Sequence, residues 1–201
     1  MSSRDFWINQ AFFQLSWPAC VIGAANGMLW PGAVVVGLFA FWQLHPARID
    51  PRDPIIVATF VATGLIIDTL WVRAGIVEYA TAWPASDFTP AWLLLLWVAL
   101  GLTVNHSLGV FRVRWPLFAL LATIGSPMSY TAAAGFGAVT WTAPAWLVII
   151  CVGPIWGLIV GLLFRAAGME PQDPTPDRRE RQVRQPESRR FESQAAESLR
   201  R

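Results

Sequence analysis

A carboxylate lies deep inside an apolar stretch of this sequence. Asp68 falls about 20 Å into a predicted membrane helix over residues 55–72, if each helical residue rises about 1.5 Å. Trp97 and Tyr130 are predicted to reach a similar depth in two later helices. A carboxylate at that depth must be paired or protonated, because its charge is costly to desolvate. The residues support two interpretations: a structural pair with Arg73 or Tyr130, or a ligand or proton site.

The densest polar motif surrounds a proline within an apolar helix. It reads Gly-Ser-Pro-Met-Ser-Tyr over residues 125–130. Pro127 cannot donate a backbone hydrogen bond, so it frees the carbonyl of Thr123, and the hydroxyls of Ser126 and Ser129 lie beside it. Many transporters build binding sites from broken helices of this kind, and ordinary kinks are stabilised in the same way. Both interpretations remain open.

A second polar layer is predicted nearer the opposite end of the helices. Gln14 is the hardest of these residues to explain, because an amide without a partner in hydrocarbon is costly. Hydrogen bonds between helices are the simpler interpretation. The ligand-binding candidates are therefore Asp68, Trp97, Ser126, Ser129, Tyr130 and Gln14, with a secondary polar layer of Asn9, Asn105 and His106. No catalytic set, metal site or cofactor is predicted.

Three tryptophans lie deeper than the interfacial level at which this residue is usually found. They are Trp17, Trp97 and Trp156. Because a buried indole N–H needs an acceptor, each of them is expected to find a partner inside the bundle.

The composition indicates the class of protein that must position these groups. The chain has 201 residues, of which 55% are hydrophobic and only 14% are charged. Eight arginines and seven acids lie after residue 167, so the preceding part has too few charges to keep the surface of a soluble domain hydrated. This pattern excludes a secreted disulfide scaffold, a soluble enzyme and a nucleic-acid-binding module as first interpretations. It predicts a polytopic membrane protein.

Six apolar windows are long enough to be membrane helices, which need about 20 residues to cross the hydrocarbon layer. The predicted fold is an all-α bundle of six transmembrane helices within residues 1–167, followed by a disordered cytoplasmic tail over 168–201. The first two helices are either a tight pair or one helix broken near Pro31. The predicted spans are 7–24, 28–44, 55–72, 91–110, 116–137 and 144–165.

Arginine placement predicts the orientation of the bundle. One side has Arg73 alone, whereas the other has six arginines before the tail: Arg4, Arg48, Arg52, Arg112, Arg114 and Arg165. Because arginine is enriched on the cytoplasmic side of membranes, both termini are predicted to be cytoplasmic in a bacterial inner membrane.

Glycines recur every fourth residue in the last predicted helix, at Gly153, Gly157 and Gly161. Such spacing leaves one smooth face that allows another helix to approach closely. Packing inside the monomer is one interpretation, and a homodimer through this helix is the other.

Several of these features together resemble a known family. The features are Asn9 and Gln14-x-x-Trp17 in the first helix, Asp68 late in the third, Pro90-Ala-Trp92 followed by Trp97, and Gly-Ser-Pro-x-Ser-Tyr at 125–130. Over residues 6–165 the chain resembles the domain of unknown function 2878 family, small bacterial integral membrane proteins. That family has no established activity, so the resemblance implies no catalytic residue. Its genes often lie near those of enzymes that modify membrane fatty acids, which favours a lipid-related role.

The leading functional hypothesis is binding or transport of a lipid-like or small amphipathic molecule. The alternative is a non-catalytic membrane subunit that anchors soluble enzymes, for example enzymes of lipid modification. A membrane-embedded lipid enzyme is less favoured, because no nucleophile–base pair is visible. The predicted partners are membrane lipid, a small amphipathic ligand, and a second copy or another protein bound through the last helix and the tail. No nucleic acid is expected.

Overall fold

The structure is a computed structural model that describes residues 2–169. The predicted disordered tail therefore lies, apart from its first two residues, outside the described part of the chain. Six α-helices, two short strands and one 3-10 turn at Gly109–Arg112 make up the described fold. In chain order these are α1 Ser3–Ala25, α2 Trp30–Gln43, α3 Asp53–Arg73, β1 Val77–Tyr79, α4 Ala91–Gly101, α5 Trp115–Phe136, β2 Val139–Trp141 and α6 Ala145–Met169.

The prediction of a helical bundle is confirmed, whereas six full membrane spans are not. Three helices, α3, α5 and α6, are long and apolar enough to cross a membrane. Two others are apolar but short: α2 has 14 residues and α4 has 11. At about 1.5 Å per residue they reach only about 21 and 16 Å, against a hydrocarbon layer of about 30 Å.

The fourth helix is shorter than the predicted span of 91–110, because it ends at Gly101. The hydroxyl of Thr103 donates to the carbonyl of Leu100 at 2.6 Å, which competes with helical pairing. Side chains at 105–107 then bond to residues of other helices, and the backbone continues as turns. Tertiary hydrogen bonds have replaced the last helical turns.

The first two helices form a tight antiparallel pair, as one of the two sequence interpretations predicts. The chain reverses at Gly27, whose φ of 73° favours glycine. The ring of Phe12 stacks on Phe39 with centroids 5.5 Å apart. Further along the pair, Gly32 packs so closely on Cys20 that a Cβ on the glycine would lie 2.6 Å from the cysteine sulfur. Small residues thus let the two backbones approach.

The remaining helices also pair as antiparallel neighbours. Gly64 of α3 faces Trp97 of α4, and a Cβ on Gly101 would lie 3.0 Å from the Cα of Val57. The three glycines of α6, Gly153, Gly157 and Gly161, all face α5. The residues of α5 that they contact are Trp115, Ala119, Thr123 and Pro127. The smooth face of α6 is therefore occupied inside the monomer, and a dimer through α6 would have to use its other faces.

A two-stranded sheet, which the sequence did not predict, joins two interhelical connections. β1 and β2 pair antiparallel, with Val77 opposite Trp141 and Tyr79 opposite Val139. The sheet defines one end of the bundle, here named the sheet end. The other end has the connections 44–52 and 102–114 and is named the amide end, after the amide side chains described below.

Candidate functional site

Asp68 lies at the centre of a buried cluster near the sheet end. Its side chain is 0% exposed. The indole N–H of Trp97 donates to Oδ2 at 2.7 Å, and the hydroxyl of Tyr130 donates to Oδ1 at 2.9 Å. Each carboxyl oxygen thus accepts one uncharged donor, and these two bonds join α3 to both α4 and α5.

The predicted alternative of an Asp68–Arg73 pair is wrong. Arg73 instead pairs with Asp87 at 3.2 Å, and its guanidinium lies over the ring of Phe88, 4.5 Å from the centroid. Within residues 2–169 no cationic side chain lies at ion-pair distance from Asp68. Arg73 lies at the end of α3, where it can reach the exposed connection to α4 and keep its charge in water.

Tyr79 extends this cluster, although sequence reasoning missed it. Its hydroxyl lies 3.1 Å from that of Tyr130. Because Tyr130 donates its only proton to Asp68, Tyr79 must be the donor in the contact between the two hydroxyls. Strand β1 supplies Tyr79, so a motif search confined to the predicted helices could not find it. Asp68, Trp97, Tyr130 and Tyr79 are named the carboxyl cluster.

A cavity of about 280 Å³ lies directly in front of the carboxyl cluster, between α1, α4, α5 and α6. Trp97 forms part of its wall and stacks on Trp156, with ring centroids 4.5 Å apart and planes 22° apart. Asp68 does not line the cavity itself, because Trp97 and Tyr130 lie between its carboxyl group and the cavity. The other five predicted ligand-binding residues all line it: Gln14, Trp97, Ser126, Ser129 and Tyr130.

The polar groups of the cavity differ in whether they have hydrogen-bond partners. The indole N–H of Trp17 donates to the hydroxyl of Ser129 at 2.7 Å. By contrast, the Ser126 hydroxyl and the Trp156 indole N–H are buried and have no partner in the described part of the chain. Two of the three deep tryptophans, Trp17 and Trp97, therefore have the expected acceptor, whereas Trp156 has none within residues 2–169.

Helix α5 holds the serine motif without a break. Pro127 lies inside the helix, which continues from Trp115 to Phe136. The hydroxyl of Thr131 donates to the carbonyl of Pro127 at 2.7 Å, and Thr123 donates to Ala119 at 2.8 Å. Of the two interpretations of this motif, the geometry matches a proline accommodated within a continuous helix.

The secondary polar layer lies in a second buried network at the amide end. Asn9 is fully buried and donates from Nδ2 to Gln43 Oε1 at 2.7 Å and to the Leu102 carbonyl at 3.1 Å. Its Oδ1 accepts the hydroxyl of Ser107 at 2.5 Å. Asn9 therefore uses its amide to join α1, α2 and the end of α4.

Asp53 supplies the buried carboxyl group of this network. Its Oδ1 accepts Asn105 Nδ2 at 2.9 Å, and its Oδ2 lies 2.8 Å from His106 Nε2. Arg112 in turn donates to Asn105 at 2.7 Å. The network is named the amide cluster: Asn9, Gln43, Asp53, Asn105, His106 and Ser107.

Sequence reasoning missed Asp53 and Gln43, because both lie at helix ends. Asp53 opens α3 in front of Pro54, a position at which an acid ordinarily stabilises the positive end of the helix. Gln43 closes α2, where a polar residue marks the end of an apolar run. Asp53 could have been identified from its position directly before an apolar span, at the end of the bundle where the secondary polar layer is predicted.

A comparison with known protein families gives a match over residues 6–162 to the family described as protein of unknown function, DUF2878. The chain belongs to this family. The match covers more than half of the chain and includes both polar clusters and the cavity-lining residue Trp156. No curated protein and no solved structure matches the chain. Membership of DUF2878 brings no known activity with it, so the function has to be argued from the geometry.

A second cavity in this DUF2878 chain opens beside the amide cluster. It measures about 340 Å³ and is lined by Trp42, Arg48, Asp50, His106 and neighbouring residues. Arg48 lies over the ring of Trp42, 4.7 Å from the centroid, and 3.7 Å from Asp5. Unlike the first cavity, it is lined by charges of both signs. No group of three His, Cys, Asp or Glu side chains comes together anywhere in 2–169 as a metal site would need.

The amide cluster is expected to stabilise the fold. Changing Asp53 to alanine removes the acceptor of Asn105 Nδ2 and of the Asp50 backbone N–H, and it removes the carboxyl group that contacts His106. We therefore expect the free energy of unfolding to fall by about 2–4 kcal/mol. Changing the exposed Asp87 to alanine breaks only a surface ion pair and should cost less than about 1 kcal/mol. Reversible unfolding in mixed micelles measures both. Equal losses for the two variants would show that the amide cluster adds nothing.

Proposed function

We propose that this protein is an integral membrane protein that binds a small amphipathic or lipid-like molecule in the cavity between α1, α4, α5 and α6. One observation carries the proposal. The cavity has mostly apolar walls, and a few polar groups converge on it, including a buried serine hydroxyl without a partner. Binding pockets for small molecules combine an apolar lining with a few placed polar groups in this way.

Apolar side chains on the outside of the bundle support a membrane location. Phe41 of α2 is 79% exposed, and Leu38 and Val34 on the same helix are also exposed. Exposed apolar surface of this kind would be an aggregation liability in water, whereas lipid covers it at no cost. We therefore infer that the short helices α2 and α4 are embedded together with α3, α5 and α6, with α1 completing a six-helix transmembrane bundle.

The distribution of arginine supports a direction of insertion. Arg48, Arg52 and Arg112 lie at the amide end, whereas Arg73 lies at the sheet end. By the enrichment of arginine in cytoplasmic segments, the amide end and both termini face the cytoplasm of a bacterial cell.

Binding is placed ahead of transport because of helix α5. Transporter sites are typically formed by discontinuous helices whose ends point at the substrate. Since α5 runs unbroken past Pro127, the site is a cleft between intact helices. The alternative role, a membrane anchor that binds soluble enzymes through the last helix and the tail, stays a prediction.

Filling the cavity tests the proposal. Ala122 lines the cavity on α5, whereas Ala132 lies on the exposed face of the same helix. We expect Ala122→Phe to abolish binding and Ala132→Phe to leave it unchanged. The probe is a long-chain methyl ketone with a diazirine in its chain, photoactivated in native membranes, and labelled residues are mapped by mass spectrometry.

The position of labelling separates the cavity from the surrounding lipid. In the wild-type protein, labelling of the cavity residues Leu93 and Leu96 should saturate, while labelling of the exposed Ile124 should rise in proportion to the probe. In Ala122→Phe the labelling of Leu93 and Leu96 should fall at least about tenfold, as expected for a lost site worth about 1.4 kcal/mol or more. Unsaturable labelling of Leu93 and Leu96 in the wild type would overturn the proposal.

A further inference from the structure

The cavity contains hydrogen-bond donors that no group within residues 2–169 satisfies. The side chain of Ser126 is 9% exposed, and its hydroxyl has no partner within 2–169. The indole N–H of Trp156 is also buried without one. Because an indole N–H can only donate, an acceptor oxygen bound in the cavity would give Trp156 a hydrogen bond that no residue within 2–169 supplies. Leaving a buried donor unpaired is costly, and a bound acceptor would recover that cost.

Of the other polar groups around the cavity, the exposed Gln14 makes no hydrogen bond within 2–169, whereas those of Tyr130, Trp97 and Trp17 are already committed. Tyr130 and Trp97 both donate to Asp68. Trp17 donates to the hydroxyl of Ser129, whose own proton has no acceptor among the described residues. Away from the exposed Gln14, the unused hydrogen-bonding capacity belongs to Ser126, Ser129 and Trp156. Each of them has an O–H or N–H group without an acceptor among the described residues.

The charge around the cavity disfavours a charged ligand. None of the described side chains that line it carries a charge. An anion would enter an apolar space close to the Asp68 carboxyl without a cation to balance it, and desolvation alone makes that costly. A cation could not reach Asp68, because Trp97 and Tyr130 occupy both carboxyl oxygens and stand between Asp68 and the cavity.

We propose that the cavity recognises the uncharged hydrogen-bond acceptor of an amphipathic molecule, a ketone, aldehyde or ester oxygen, through Ser126 and Trp156. This inference rests on the proposed function and adds the chemical class of the ligand. The apolar remainder of the ligand lies along the rings of Trp97 and Trp156 and the leucines of α4. The carboxyl cluster acts behind the site, where it holds Trp97 and Tyr130 in place.

Matched probes test the class of the ligand. Four diazirine probes share one alkyl chain and differ at one position: a methyl ketone, the corresponding alkane, a sulfonate and a trimethylammonium group, the last two being permanently charged. Saturable labelling of Leu96 gives a half-saturating concentration for each. The ketone is expected to bind about tenfold more tightly than the alkane, as two net hydrogen bonds of about 0.7 kcal/mol each would give.

Variants assign the preference to the two donors. In the double variant Ser126→Ala with Trp156→Phe, the preference for the ketone over the alkane should fall to within about twofold, while the alkane still binds. Ser126→Thr keeps a hydroxyl and should retain the preference. Trp30→Phe removes an indole N–H from an exposed position and serves as the matched control. If the double variant fails to fold, Ser126→Ala alone should lose about threefold of the preference.

The outcomes distinguish this inference from the proposed function. Tighter binding of the sulfonate or the trimethylammonium probe, or equal binding of ketone and alkane, would overturn the inference and leave the binding site in place. Absence of saturable Leu96 labelling by all four probes would overturn both.

Discussion

Replacing Asp68 with alanine is expected to lower the free energy of unfolding by about 3 kcal/mol or more. The change leaves the indole N–H of Trp97 and the hydroxyl of Tyr130 without acceptors in a buried site, at about 1–3 kcal/mol for each donor. It also removes the hydrogen bonds from α3 to α4 and to α5. Steric trapping in bicelles measures the unfolding free energy without denaturant.

Two further variants show whether the loss comes from the hydrogen bonds. Asp68→Asn keeps one acceptor oxygen but turns an NH2 group towards the other donor, so its cost should lie between those of the wild type and the alanine variant. Tyr130→Phe removes the hydroxyl that donates to Asp68. In this variant, the further change Asp68→Ala should lower the free energy of unfolding by about 1–2 kcal/mol less than it does in the wild type, because the effects of contacting residues in one network are not additive.

Asp87→Asn is the matched control for the loss of an acid. Its carboxylate is exposed and pairs with Arg73 at the surface, so the variant should change the stability by less than about 1 kcal/mol. If Asp68→Ala were as stable as Asp87→Asn, the carboxyl cluster would not be a structural support of the cavity wall.

Replacing Gly64 with alanine is expected to be destabilising, although alanine is the better helix former. A Cβ at this position would overlap the indole ring of Trp97. The Trp97 ring has little room to move, because Trp97 is only 2% exposed. Its N–H is hydrogen-bonded to Asp68, and the ring stacks on Trp156. Overpacking of a buried site typically costs about 1–3 kcal/mol, and here the displaced group is also the wall of the binding site.

Gly37→Ala is the matched control in another apolar helix. A Cβ at Gly37 has no heavy atom within 4 Å, so alanine should stabilise α2 by about 0.5–1 kcal/mol. The two glycine substitutions should therefore have opposite signs in the same unfolding assay. Saturable probe labelling of Leu96 should fall in Gly64→Ala and persist in Gly37→Ala. Equal effects of the two substitutions would mean that Trp97 is free to move and that the cavity has no fixed wall.

The helices and their approximate positions could be predicted from composition and hydropathy. Residues 53–73, 115–136 and 145–169 are long apolar runs between polar or glycine-rich connections, and such runs form helices because their backbone groups must pair with one another in an apolar environment. The depth of a side chain follows from the rise per residue, so Asp68, Trp97 and Tyr130 could be expected at one level. The structure places them in direct contact.

Only the tertiary structure decided which neighbours these residues have. Hydropathy indicates how far a residue lies along its helix, but the rotation of the helix and the identity of the facing helix depend on packing between segments far apart in the chain. Asp68 therefore pairs with Trp97 and Tyr130, while Arg73, five residues away, turns to Asp87.

The same reason explains the elements that sequence patterns missed. β1 and β2 are three residues each, too short for a pattern, and they pair only because the α3–α4 and α5–α6 connections meet at one end of the bundle. Asp53 has the sequence of an ordinary helix start, and it becomes the centre of the amide cluster because the turns after α4 bring Asn105 and His106 to it. Local sequence thus determines the helices and the depth of their polar groups. Long-range packing determines the partners of those groups and so forms the cavity.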